Sequence, residues 1–163
     1  MKKQPRSKKM IVVGYFLSKY IIDDDSLSLL NVDKWTNAYD LFYPLLGGGR
    51  DYDTFEHSLK NTRDKFDSHI DNTRRGWHKP DKVTPVPLTG NFLEIYTEYS
   101  EHSYQDLLNI VKTYIKKDKA NKIRNYKEGQ LLTSSLLIYI ISTIKTAGGQ
   151  ADLKHIYKQV NTL

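Results

Sequence analysis

Residues 72–80, NTRRGWHKP, bring several side chains that can bind phosphate into one short segment. Arginine and lysine donate charge-assisted hydrogen bonds to phosphate oxygens, and an arginine can also bond a guanine edge through two parallel hydrogen bonds. The segment therefore predicts a nucleic-acid-binding loop in which cations touch DNA while the tryptophan anchors the loop to the core. The residues assigned to this loop are Arg74, Arg75, Trp77, His78 and Lys79.

The same segment also fits the end of a helix. Asn72 and the two arginines could satisfy the last carbonyls of a helix that ends near Ile70, and Gly76 would permit a turn with a positive φ. This interpretation explains the glycine and the tryptophan, but it does not require so many cationic donors on one turn. Both interpretations stay open on the sequence alone.

A second basic segment covers residues 112–127, which contain seven lysines and arginines and one acidic residue, Asp118. Aromatic side chains beside cations can stack on bases while the cations pair with phosphates. The candidate nucleic-acid-binding residues of this segment are Lys116, Lys117, Lys119, Lys122, Arg124, Tyr126 and Lys127. Residues 1–9 are also basic, and the net charge of the chain is +6, whereas residues 23–71 are predominantly acidic. This segregation favours a nucleic acid as the partner.

Residues that could perform catalysis are scarce. The chain has no cysteine, and its five histidines are too scattered for a zinc site. Neither a phosphate-cradling P-loop nor an activated serine can be recognised. We therefore expect no catalytic residues, no metal and no cofactor. Asp51, Asp53, Glu56 and Lys60 are the residues that a cryptic magnesium site would use.

Apolar residues at helical spacing predict a mainly α-helical fold. We expect a helix over residues 10–22 and a second one that is capped by Asp33 and ended by Pro44 and the three glycines at 47–49. A third helix is expected to be capped by Asp53 or Thr54. The charged side chains of this third helix are expected on a solvated face, namely Lys60, Arg63, Asp64, Lys65 and Asp67. Two more helices are expected over 91–99 and from a Ser103 cap to Lys117.

The domain organisation follows from proline and charge. We expect a basic tail at 1–9, a helical subdomain at 10–79, a Pro-rich linker at 80–90, with an edge strand at 82–85, and a second helical subdomain at 91–163. No apolar run is long enough to span a bilayer, and the start lacks a secretory cleavage site, so a cytoplasmic protein is expected.

Two stretches resemble known families. The stretch GGQADLKHIYKQV, residues 148–160, resembles the first turn and second helix of winged helix-turn-helix domains, although no recognition helix follows before Leu163. The pattern from Trp35 to Trp77 is similar to the N-terminal region that precedes restriction endonuclease or restriction ATPase domains in bacteria. This second resemblance implies that the region reads DNA, sometimes at a modified base, while other domains or subunits cleave or translocate.

The sequence thus favours a DNA-binding module without catalytic activity of its own, the target-recognition part of a restriction or phage-defence system. Double-stranded DNA, unmodified or modified, is the expected partner, together with further domains or subunits of a restriction complex and no membrane. One alternative is a small magnesium-dependent restriction endonuclease. The other is a protein-interaction adaptor that uses the acidic residues 23–71.

Overall fold

The computed structural model describes residues 5–123, which all belong to one compact unit, Met1–Asn125; the second unit, Tyr126–Leu163, lies outside the described residues. Helices account for 58% of the described residues and none of these residues lies in a strand, so the predicted mainly α-helical class is confirmed. The helices are α1 (Lys8–Tyr20), α2 (Trp35–Leu46), α3 (Tyr52–Asp67), α4 (Asn91–Tyr99), α5 (Tyr104–Lys112) and the short α6 (Lys117–Ala120). A 3-10 helix, Asp25–Leu30, connects α1 to α2.

Helix α1 forms the centre of this unit. Every residue from Met10 to Ser18 is buried, as expected for a helix that is apolar on almost all sides. The helix begins where the Ser7 hydroxyl accepts a hydrogen bond from the Met10 amide at 3.2 Å. Helices α3, α4 and α5 pack around it. The predicted helix over residues 10–22 is therefore confirmed, apart from its last two residues.

Helices α1 and α3 approach each other closely at Gly14. A Cβ atom on Gly14 would lie 2.5 Å from Cγ2 of Thr62, which is fully buried on α3. The absence of a side chain at position 14 therefore allows the two backbones to approach closely. The Thr62 hydroxyl donates to the Ser58 carbonyl at 2.7 Å, so its polar atom is satisfied within α3.

Several predicted helix ends were wrong. Helix α2 follows Lys34 rather than an Asp33 cap, because the Asp33 carboxylate accepts instead from the Asn37 side chain at 2.7 Å. Pro44 lies inside α2, so the proline does not end this helix, whereas the predicted stop at the glycines is confirmed, because α2 ends at Leu46 with Gly47 as its cap. Helix α3 begins two to three residues earlier than predicted, since its cap is Asp51.

The Pro-rich segment 80–90 does not separate two units among the described residues. Helices α4 and α5, which follow it, both pack on α1, and both sides of the segment lie within Met1–Asn125. The edge strand predicted at 82–85 is reduced to a single antiparallel bridge between His78 and Pro85. Ser103 caps α5 as predicted, although that helix ends at Lys112. The winged-helix resemblance at 148–160 lies outside the described residues.

Within residues 5–123, no helix is both long enough and apolar enough to cross a membrane.

The close approach of α1 and α3 predicts that Gly14→Ala is destabilising. The added methyl would overlap the Thr62 methyl, and overpacking of this kind costs about 1–3 kcal/mol. Thr62→Ser removes that methyl and keeps the hydroxyl. We therefore expect the double variant to be more stable than the sum of the two single variants predicts, by at least about 0.5 kcal/mol in urea unfolding. Additive losses would contradict this description of the helix contact.

Candidate nucleic-acid interface

The buried carboxylate of Asp67 organises the segment that the sequence singles out. Its side chain is only 1% exposed, and it accepts hydrogen bonds from the Ser18 hydroxyl at 2.7 Å and from the Asn72 amide at 3.0 Å. Arg74 binds both carboxylate oxygens, each at 2.9 Å, through Nε and Nη2. A buried charge needs a partner and satisfied lone pairs, and this bidentate geometry supplies both.

Arg74 is directed at the protein rather than at solvent. Its Nη1 donates to the Ile21 carbonyl at 2.6 Å, and Nη2 also approaches the Leu17 carbonyl at 3.3 Å. Each of its three nitrogen atoms therefore donates to a protein acceptor. Arg74 therefore has a structural role, and it is not part of the exposed surface that could bind DNA.

Residues 72–74 cap α1, not the helix that precedes them in sequence. The Asn72 side chain donates to the Ser18 carbonyl at 3.1 Å, and the Thr73 hydroxyl donates to the Ile22 carbonyl at 2.6 Å. With Arg74, they satisfy carbonyls that the end of α1 leaves without helical partners. The expectation that Asn72, Arg74 and Arg75 cap the helix ending near Ile70 was wrong, because the first two bind carbonyls at the end of α1 and Arg75 donates to the Lys82 carbonyl.

Arg63 belongs to the same buried cluster. It is 6% exposed, and its Nη1 donates to the Tyr39 hydroxyl at 2.7 Å. Its guanidinium also lies 4.3 Å from the centre of the Trp35 ring. Burial raises the pKa of Tyr39 to about 12, so this phenol stays neutral and can accept from the arginine. The predicted solvated face of this helix was therefore wrong for Arg63 and Asp67.

Gly76 fixes where the chain leaves this cluster. Its φ is +65°, and a Cβ atom there would lie 2.2 Å from the backbone nitrogen of Ser68. Only glycine fits such a position without displacing the end of α3. The next amide, that of Trp77, donates to the Asp64 carbonyl at 3.1 Å and so satisfies one of the last carbonyls of α3. The predicted positive φ at Gly76 is confirmed.

Beyond Gly76 the chain forms a compact turn, which we call the basic loop (residues 75–83). Its two arms are joined by hydrogen bonds from the Lys79 amide to the Thr84 carbonyl, 2.8 Å, and from the Val86 amide to the Trp77 carbonyl, 3.0 Å. Asp81 closes the turn, because its carboxylate accepts from the Val83 and Thr84 amides, both at 2.9 Å. Hydrogen bonds from Thr84 and Val83 hold the pKa of Asp81 below its usual range, so it stays ionised at neutral pH.

The basic loop presents cations and apolar surface to solvent. Its exposed residues include Arg75, Trp77, Lys79, Lys82 and Val83. Arg75 also braces the loop, since its Nη2 donates to the Lys82 carbonyl at 2.7 Å. The Trp77 residue is 39% exposed, so the protein covers part of its surface and leaves the rest accessible, and the backbone of Trp77 also anchors the loop through its hydrogen bonds. His78 is half-buried, and its Nδ1 has no hydrogen-bond partner among the described residues.

The second basic segment is only partly described. Lys116, Lys117 and Lys122 are exposed near α6, whereas Lys119 forms an ion pair with Asp40 of α2 at 2.9 Å. Arg124, Tyr126 and Lys127 lie outside the described residues. The basic loop is thus held by α3, while Lys119 is held by α2.

The described residues give no support to a catalytic metal site. Across residues 5–123, no group of three or more histidine, aspartate or glutamate side chains is placed to hold a metal ion. Asp51 is engaged as the cap of α3, where it accepts from the Thr54 amide at 2.8 Å. Lys60 pairs with Asp64 at 3.4 Å. Two of the four residues considered for magnesium therefore have structural partners.

Two residues that matter to this site were missed in the sequence. Lys82 lies beside Arg75 only because the turn brings the arms together, and local spacing gives no sign of that contact. Asp67 carries a weak signal, since it follows the buried Leu59 at two successive intervals of four residues, with Arg63 between them. Arg63 and Asp67 therefore lie on the same buried face of α3 as Leu59.

A scan against protein-family models finds no match for this chain, and no curated protein or solved structure matches it. A functional assignment therefore depends on the geometry and charge of the described residues.

Loss of the Asp67 carboxylate should destabilise the whole unit. Asp67→Ala would leave the buried Arg63 and the partly buried Arg74 without their shared anion, and breaking a buried pair in this way costs about 3–5 kcal/mol. Asp71→Ala is the matched control, because Asp71 is exposed and such a change shifts stability by about 0.5 kcal/mol or less. Equal midpoints for the two variants in urea unfolding would show that the buried carboxylate is not an anchor.

Proposed function

We propose that this chain is a DNA-binding module that uses the basic loop to contact the phosphate backbone and bases of double-stranded DNA. The single observation that carries this proposal is the exposure of three cations and a tryptophan on one braced loop. The loop contains three cationic residues, Arg75, Lys79 and Lys82, and one acidic residue, Asp81. Since the Asp81 carboxylate already accepts two backbone amides, the cations remain available for an external anion.

The arrangement of the loop suits a polyanion. Its backbone is fixed by hydrogen bonds across the turn and to α3, so little conformational entropy would be lost when it binds. Lysine and arginine side chains at fixed positions displace the counterions condensed on DNA, which supplies much of the affinity. The exposed lysines near α6, at positions 116, 117 and 122, would provide a second region of phosphate contacts.

The resemblance of Trp35–Trp77 to restriction proteins suggests a setting for this activity. In our proposal the chain recognises the target for a restriction or phage-defence system, and other domains or subunits perform the cleavage. The proposed use of the basic loop does not depend on that setting.

Neutralising the loop lysines should weaken binding in a salt-dependent way. Lys79→Gln/Lys82→Gln removes two phosphate contacts, so the slope of log affinity against log salt should fall by about 1.8. Anisotropy of a labelled duplex, titrated at several salt concentrations between about 50 and 200 mM, measures this slope.

The matched control for this experiment is Lys34→Gln/Lys60→Gln, which removes the same charge from two exposed positions outside the loop. Its slope should stay close to that of the unmodified chain. Equal slopes for the two double variants would show that net charge, and not the basic loop, determines binding. Absence of binding by the unmodified chain would favour the adaptor alternative.

A further inference from the structure

Trp77 lies on the basic loop with part of its surface accessible to solvent. It is 39% exposed, and Val83 on the opposite arm of the same loop is 79% exposed. The other tryptophan of the chain, Trp35, has the Arg63 guanidinium 4.3 Å from its ring centre and the Arg74 guanidinium at 5.2 Å. Trp77 thus leaves apolar aromatic surface accessible to a ligand, whereas the ring of Trp35 is in contact with two protein cations.

The backbone of Trp77 is fixed from both sides. Its amide donates to the Asp64 carbonyl at 3.1 Å and its carbonyl accepts from the Val86 amide at 3.0 Å. Gly76, directly before it, fits only without a Cβ atom. The attachment point of the ring is therefore preorganised, so a planar ligand would find it with little further ordering of the loop.

Side chains that can bind phosphate lie close to Trp77 in the sequence of the loop. Arg75, Lys79 and Lys82 are all exposed and all lie within five residues of Trp77. An aromatic ring with adjacent cations is the combination by which proteins hold unpaired nucleotides, since the ring stacks on a base and the cations bind the backbone. Bases within a paired duplex instead offer their edges in the grooves, because their faces are covered by neighbouring bases.

We propose that Trp77 stacks on the face of an unpaired base while Arg75, Lys79 and Lys82 bind the flanking phosphates. This proposal rests on the proposed DNA-binding function and adds the state of the nucleotide that the loop recognises. An unpaired base has two sources. It can belong to a single strand, or it can be turned out of a duplex, where unstacking costs least at a defect.

Three probes distinguish these sources for the full chain. They are a single-stranded oligonucleotide, its fully paired duplex, and the same duplex with one bulged base. Binding to each is measured by anisotropy, and stacking by the quenching of tryptophan fluorescence. Preference for the single strand over both duplexes would assign the first source, and preference for the bulged duplex over the single strand and the paired duplex would assign the second.

Trp77→Leu is the principal variant, because leucine keeps an apolar side chain but has no aromatic face. It should lose roughly 5- to 150-fold in affinity for the probes with an unpaired base and little for the paired duplex. Trp77→Phe should recover part of that affinity while losing most of the quenching, since Trp35 would be the one tryptophan left in the chain. Leu93→Ala is the control, as Leu93 is 50% exposed on α4 and should change neither signal.

The outcomes separate this proposal from the function on which it rests. If the unmodified chain binds all three probes and Trp77→Leu binds them equally well, stacking is overturned while DNA binding stands. An equal loss for the paired duplex would also overturn the preference for an unpaired base. If none of the probes binds the unmodified chain, the proposed function and the stacking proposal both fail.

Discussion

The structure depends on a buried carboxylate that several elements share. Asp67 ends α3, and its oxygens hold Ser18 of α1 and both Asn72 and Arg74 of the following segment. An ionised group at this depth is tolerated only when its partners are all in place. The position of residues 72–74 is therefore fixed by electrostatics as well as by packing. Because these residues cap α1, the same interaction joins the central helix to the start of the basic loop.

The need to pair the buried Asp67 carboxylate gives two adjacent arginines different roles. Arg74 turns inward to the carboxylate and to the carbonyls at the end of α1, while Arg75 stays exposed and braces the turn through the Lys82 carbonyl. Gly76 then directs the chain along the end of α3, so that the backbone of Trp77 is bound to α3 and its side chain remains accessible. A rigid support with an exposed aromatic and cationic end is the physical basis of the proposed DNA contact.

Sequence patterns predicted the helices well, because the burial of an apolar stripe leaves a period that can be read directly. They predicted α1 and the Ser103 cap of α5, and they identified Gly76 as a position for positive φ. They wrongly predicted exposed side chains for Arg63, Asp67 and Arg74, since a charged residue is expected on the surface unless its partner, distant in sequence, is known. The partners of Asp67 come from α1 and from beyond α3, and no local spacing reveals them. Trp77 was expected both to anchor the loop to the core and to belong to the binding site, and composition does not show how much of an aromatic side chain remains accessible.

The most direct test of this account compares Arg74→Ala with Arg75→Ala, which remove the same side chain from adjacent positions. Urea unfolding and duplex affinity are measured for both variants at one salt concentration. The account predicts that the Arg74 variant loses about 3–5 kcal/mol of stability, because Asp67 remains buried without its main partner. The Arg75 variant should keep nearly all of its stability and lose affinity for DNA. The reverse pattern, or identical behaviour of the two variants, would contradict the inward role of Arg74 and the outward role of Arg75.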